Sequence, residues 1–170
     1  MRGGLEVGSL GVYSGALRLA VLRLKESNDR LLTGVLAGRL AQLLSSRLGA
    51  TPLQVVGVPT SQRRQRWRGY CAPQRLAEAV AARSGWRLLC DFHCPGDPAP
   101  RKALRGFQRR RPQSMPFHYE GRLSGTVVLI DDVVTSGQTL QQARLALLRA
   151  GAERVEVVCL ARSCQAGVNF

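Results

Sequence analysis

The run Thr126-Val127-Val128-Leu129-Ile130-Asp131-Asp132-Val133-Val134-Thr135-Ser136-Gly137-Gln138-Thr139-Leu140 constrains this chain more than any other segment. Four apolar, mostly β-branched residues in succession read as a buried strand of a parallel sheet. That strand is expected to end on two adjacent carboxylates. A Thr/Ser/Gly turn follows, and a helix from Leu140 to Ala150 stops at Gly151, a residue suited to the position after a helix end. In open α/β sheets, ligands collect beyond the carboxyl ends of the strands, where this turn would lie. The backbone N–H groups of Ser136 to Thr139, at the positive end of the helix, suit a monophosphate. Asp131 and Asp132 suit paired hydroxyls or a hydrated divalent cation. A ligand with a phosphate at one end and a sugar diol nearby would satisfy both halves.

Other readings of the same residues are weaker. An apolar strand ending in acidic residues also describes a Walker B strand, but its partner is a glycine-rich turn closing on Gly-Lys-Ser/Thr. The chain has two lysines, Lys25 and Lys102, and neither follows such a turn. A receiver-type acidic pocket wants a lysine after a later strand, and none lies beyond Lys102. Plain capping needs one short polar residue. It does not call for Asp-Asp followed by Thr-Ser-Gly-x-Thr.

The pattern from Val127 to Thr139 resembles, without a gap, the 5-phosphoribosyl-1-pyrophosphate (PRPP) motif of type I phosphoribosyltransferases. That motif has four hydrophobic residues, two acidic residues and a T-x-G-x-T-like loop. The resemblance implies that Asp131 and Asp132 take the ribose diol, with Mg2+ as the cofactor accompanying PRPP. It implies that Thr135, Ser136, Gly137, Gln138 and Thr139 hold the 5-phosphate. Ser136 replaces the usual second Thr and keeps a hydroxyl.

Further segments narrow the resemblance to the ComF/GntX branch. Val58-Pro59-Thr60-Ser61-Gln62-Arg63-Arg64-Gln65-Arg66-Trp67-Arg68-Gly69-Tyr70 is similar to its pyrophosphate loop, V-P-x-x-x-x-R-x-x-x-R-G-F-N-Q. Pro59, Arg64, Arg68 and Gly69 match, Tyr70 replaces Phe, and Cys71-Ala72 replaces Asn-Gln. Thr60 and Ser61 fall inside the same loop. Upstream, Tyr13, Gly15, Arg18 and Lys25 resemble the family's Y-x-G-x-x-R…L-K-Y segment. Downstream, Leu104, Arg109 and Phe117 track its hood loop, where Arg101 and Pro112 stand in place of Gln and Asn. The resemblance implies a hood carrying Arg101, Lys102, Arg105 and Arg109 that closes over the site and excludes water. It spans Tyr13 to Arg162. No cysteine zinc ribbon of the kind that often opens the family precedes Tyr13.

The remaining sequence fits one such domain over residues 1–170, a length that buries a proper core. A hydrophobic share of 45% with 5% aromatics points to an aliphatic interior. No stretch approaches the roughly eighteen apolar residues of a membrane span. Met1 to Glu6 lacks the apolar core of a signal peptide, so a cytoplasmic location is expected. The five cysteines form no C-x-x-C pair; Cys90, His93 and Cys94 could offer metal ligands, but idle thiols are the simpler reading. His93 and His118 read as surface loop residues rather than a general base.

Helices are expected over Tyr13–Leu24, Asp29–Leu48 and Pro73–Ala82, and strands over Leu53–Val58, Trp86–Leu89 and Val155–Leu160. The stretch from Cys94 to Tyr119, with five prolines, reads as irregular. This alternation implies a mainly parallel sheet covered by helices on both faces.

The formal charge is +14, and Arg63 to Arg111 holds thirteen Arg/Lys against three Asp/Glu. Arginine grips phosphate bidentately, so the segment suits a polyphosphate ligand or a nucleic-acid backbone. The ComF resemblance adds natural competence, with single-stranded DNA and a competence helicase as partners; a homodimer is compatible with it. Three functions stay open. One is a ComF-like protein binding PRPP or a related ribose phosphate, and another a nucleobase-salvage phosphoribosyltransferase. The third is a non-catalytic module for single-stranded DNA or a helicase.

Overall fold

The computed structural model describes residues 5–49, 53–60, 70–94 and 117–163. Its strands and helices run in the order β1 (Gly8–Val12), α1 (Gly15–Glu26), α2 (Arg30–Leu48), β2 (Gln54–Gly57), α3 (Ala72–Ser84), β3 (Arg87–Leu88), β4 (Phe92–His93), β5 (His118–Tyr119), β6 (Thr126–Val134), α4 (Gln138–Arg149) and β7 (Arg154–Arg162). Five strands form one sheet in the order β1-β7-β6-β2-β3, and every pairing in it is parallel.

Strand β6 is the middle of this sheet, and its apolar run explains why. Val127, Val128, Leu129 and Ile130 are all 0% exposed. Alternation along the strand sends Val127 and Leu129 into the core beneath α4, with Leu140, Ala143 and Leu147. Val128 and Ile130 go into the opposite core, with Val21 and Leu24 of α1, Leu40 of α2 and Leu76 of α3. One strand thus feeds two cores, which is the pattern expected of a sheet covered on both faces.

Helix boundaries follow local chemistry. Asp29 caps α2, its carboxylate accepting the Leu32 N–H at 3.0 Å. Pro73 occupies the first turn of α3, where its missing donor costs nothing. Leu36, Leu40 and Leu44 bury one stripe of α2, whereas Leu31 and Val35, which share the apolar spacing, are exposed.

Three features depart from the sequence expectation. β1 precedes the first helix as an edge strand and pairs with β7 from Gly8↔Val158 to Val12↔Arg162. Two glycines and a serine in Gly8-Ser9-Leu10-Gly11-Val12 hide it, because its partner rather than its propensity makes it a strand. Secondly, β4 and β5 form a two-stranded antiparallel sheet, with Phe92 stacked on Phe117 at 5.7 Å between ring centroids. This pairing joins the two sides of residues 95–116, so the ends of the irregular stretch belong to the core. Finally, β6 does not stop at the acidic pair. Its ladder with β7 continues through Val133↔Ala161 and Val134↔Arg162, because β7 is itself long enough to supply partners.

Gly57 shows how tightly helix and sheet meet at the end of β2. A Cβ there would lie 2.5 Å from the carbonyl carbon and oxygen of Pro73 and from the Gln74 nitrogen. Backbone cannot yield as a flexible side chain does. We expect Gly57→Ala to lower unfolding free energy in urea by about 1–3 kcal/mol or more. Gly34→Ala in α2, where the added methyl meets nothing within 4 Å, should be neutral or stabilising by about 0.5–1 kcal/mol. Equal effects at both positions would contradict this packing.

Candidate functional site

The strand order reverses direction between β2 and β6. The chain leaves β2 through α3 toward β3 at one edge, and leaves β6 through α4 toward β7 and the other side. α3 covers one face of the sheet and α4 the opposite face. The loops after β2 and β6 therefore part company and leave a crevice at the carboxyl ends of these strands. Val58 continues the pairing by donating its N–H to the Ile130 carbonyl at 2.8 Å. Pro59 and Thr60 follow directly.

At this crevice β6 delivers Asp131 and Asp132, and Thr135 to Gly137 turn the chain into α4. Gly137 caps the helix with φ 70°, a left-handed conformation that a side chain would strain. The first helical bond runs from the Gln141 N–H to the Gly137 carbonyl at 2.9 Å. The N–H groups of Gly137 to Leu140 thus precede the intrahelical ladder. The Gln138 N–H approaches Ser136 Oγ at 3.5 Å, a long local contact. Thr135, Ser136 and Gln138 are exposed and Thr139 is partly buried, so the turn is open to a ligand.

The acidic pair is less open. The Asp132 N–H donates to Asp131 Oδ1 at 2.8 Å. Asp132 Oδ1 accepts from Lys25 Nζ at 3.0 Å, with the two side chains 13% and 25% exposed respectively. Lys25 lies near the end of α1, on the face of the sheet that strand alternation assigns to Asp132. Burial above all, and then the Asp132 charge, push the Asp131 carboxyl up to about 7, against the opposing pull of the Asp132 N–H and of Lys25. Cys159, the β7 partner of Asp131, is an inert thiol; burial drives it up to about 12.

The donor set fits magnesium. Two carboxyls at a sheet rim offer the hard oxygen ligands that cation takes, Asp131 once it has lost the proton that its burial and its neighbour favour. Among the described residues there is no cluster of three or more His, Cys, Asp or Glu side chains arranged to hold a metal on their own. A hydrated ion would need ligand oxygens as well.

Asp131, Asp132, Thr135, Ser136, Gly137, Gln138 and Thr139 lie on β6 and at the start of α4, and Pro59 and Thr60 follow the end of β2, the strand beside β6. Ser61, Arg64, Arg68 and Gly69 of the expected pyrophosphate loop lie outside the described residues, as do Arg101, Lys102, Arg105 and Arg109 of the expected hood. Tyr70, next after that loop, donates its hydroxyl to the Leu24 carbonyl at 2.7 Å and so ties the loop's end to α1. His93 and His118 are not loop residues but cross-strand partners on β4 and β5, each near Glu120. Neither belongs to the β6–α4 turn. A separate hollow of about 620 Å3, lined by Gly49, Arg83 and Trp86 among others, lies where β2 and β3 begin, at the other end of the strands.

A parallel sheet with an acidic pair and a helix-capping turn at its switch point defines a protein of the type I phosphoribosyltransferase class. Residues 102–167 match the phosphoribosyl transferase domain family. UMP synthase of Leishmania donovani superposes with a TM-score of 0.50 at 20% identity, over 81% of this chain and 24% of that one, a likeness of fold. The DNA utilization protein YhgH of Salmonella typhi is 32% identical over 162 residues, 91% of this chain and 71% of the relative. Its counterpart in Escherichia coli O157:H7 is 30% identical over 165 residues, covering 89% and 69%. The chain belongs to the ComF-type family of phosphoribosyltransferase-domain proteins, together with these relatives.

The electrostatics of Asp131 are testable without any ligand. A carboxyl raised from 3.8 to about 7 favours the folded state at low pH and withdraws that stability as pH rises through about 7. Asp131→Asn removes the buried charge. Its melting temperature relative to wild type should therefore climb between pH 4 and pH 8, by about 10 °C. A pH-independent difference would contradict the raised carboxyl.

Proposed function

We propose that this chain binds a 5-phosphorylated ribose, with PRPP as the principal ligand, in the crevice between β2 and β6. One observation carries the reading: β6 presents Asp131 and Asp132 immediately before a turn that opens the N-terminus of α4. The turn's N–H groups, from Gly137 to Leu140, suit the 5-phosphate. The acidic pair suits the ribose hydroxyls, to which carboxylates are good acceptors.

Magnesium, bound through Asp131 and Asp132 and the ligand, would supply charge neutralisation at a pyrophosphate leaving group. The chain's own part is to bind and orient. Thr135, Ser136 and Thr139 offer hydroxyls beside the phosphate turn, and Pro59 and Thr60 open the segment in which Arg64 and Arg68 would face pyrophosphate. The hood arginines, with Lys102, would exclude water. Neither histidine stands in this turn, so transfer of the ribose would rely on the acceptor's own nucleophilicity rather than on an imidazole base.

The host process we assign is DNA utilization, after the name of the relatives, which suits a chain of net charge +14. Single-stranded DNA and a helicase are the partners this role implies. The basic segment from Arg63 to Arg111 supports a backbone contact, which is electrostatic and weakens with salt. No described helix is long and apolar enough to cross a membrane, in keeping with a cytoplasmic site of action.

Isothermal titration with PRPP and magnesium tests the reading. Wild type should bind, and the double variant Asp131→Asn/Asp132→Asn should lose at least about a hundredfold in affinity, since two charge-assisted contacts go. The variant should keep the wild-type far-UV spectrum. Absence of heat with wild type at millimolar PRPP would sink the proposal.

A further inference from the structure

Lys25 is the one cation placed on the acidic pair among the described residues, and its setting is built rather than incidental. It is the penultimate residue of α1. The helix is fixed there by Val21 and Leu24, which are 0% and 1% exposed in the core against the sheet. The Leu24 carbonyl is held by the Tyr70 hydroxyl at 2.7 Å, so the backbone beside Lys25 is tied to the residue that ends the arginine-rich loop. From this footing the ammonium reaches Asp132 Oδ1 at 3.0 Å, with three quarters of its side chain out of solvent. Surface ion pairs contribute little because water and salt screen them. This pair is screened far less.

The residue type matters as well. Of 25 cationic residues in the chain, only Lys25 and Lys102 are lysine. Arginine at position 25 would offer a planar fork that grips a carboxylate bidentately. Lysine offers a compact charge on a flexible stem, which can release one oxygen for another. Its charge also changes what the pair attracts. Asp131 and Asp132 alone would draw any divalent ion, while an ammonium on Asp132 Oδ1 cancels one carboxylate charge and weakens that draw at close range. A ribose phosphate brings hydroxyl donors for the carboxylates and anionic oxygens to which the ammonium can turn.

We infer that Lys25 is a positioning residue and resident counter-cation of the acidic pair, which holds Asp132 and excludes free divalent ions until they arrive with an anionic sugar phosphate. The inference rests on Asp131 and Asp132 being the ligand-binding carboxylates, but its test uses metal alone. Mn2+ binding to the intact protein, followed by the paramagnetic resonance of the free ion, reads it directly. Lys25→Met and Lys25→Gln should bind Mn2+ at least about tenfold more tightly than wild type, and Lys25→Arg should stay near wild type. The gain should vanish in Lys25→Met/Asp132→Asn, which places the ion on the pair. With ribose 5-phosphate present, wild type should close most of the gap. Circular dichroism melts check that each variant folds, and Lys25→Gln carries the comparison if the methionine variant does not.

Mn2+ affinities for Lys25→Met and Lys25→Gln within about twofold of wild type would overturn the inference, and so would a gain that survives Asp132→Asn. A protein that took up no PRPP would refute ribose-phosphate binding at this crevice while leaving this result intact.

Discussion

Carrying two adjacent carboxylates into the second half of a buried parallel strand is the constraint on which this molecule turns. β6 lies mid-sheet, pairing with β7 along its length and with β2 from Val127 to Ile130, and its apolar run anchors a core on each face. The aliphatic burial fixes where the strand lies. The carboxyls then have no freedom to retreat to bulk solvent, and the structure meets their cost locally. Asp131 takes the Asp132 N–H and rises toward neutrality, while Asp132 takes the Lys25 ammonium. Groups held in this way are poised for a ligand that supplies hydroxyls or a cation.

The surroundings follow from that demand. α1 is placed over the face that Asp132 addresses, and Tyr70 fastens the chain after β2 to the same helix. Gly57 lets α3 approach the end of β2 at backbone contact, and Gly137 accepts the left-handed turn that starts α4. Two loops leaving the sheet in opposite directions then open the crevice without any residue having to vacate a core.

Much of this was readable in the sequence because it is local. The strand, the acidic pair, the turn and the helix after it are contiguous, so apolar run, carboxylates and small polar residues declare themselves at fixed spacing. The same holds for Pro73 in a first turn. What escaped depends on tertiary partners. β1 is a strand because β7 offers it an edge, and Gly8-Ser9-Leu10-Gly11-Val12 has too little apolar alternation to announce it. β4 and β5 are two residues each and exist through pairing across residues 95–116. The Lys25–Asp132 contact joins positions more than a hundred residues apart. Resemblance to a family segment picked out Lys25, but spacing gave no hint of its partner. The exposed Leu31 and Val35 fit the helical apolar spacing as well as Leu36 and Leu40 do; only the direction of the core separates them.

The central claim is that the acidic pair and the α4 turn act as one binding surface for a ribose phosphate. Amide chemical shifts of the 15N-labelled protein, followed as ribose 5-phosphate and magnesium are added, test it most directly. The account predicts that the largest changes fall on Asp131, Asp132 and the turn from Ser136 to Thr139, with smaller ones at Thr60 and Lys25. Changes centred on the hollow beside Gly49 and Trp86, or none at the β6–α4 turn at saturating ligand, would contradict it.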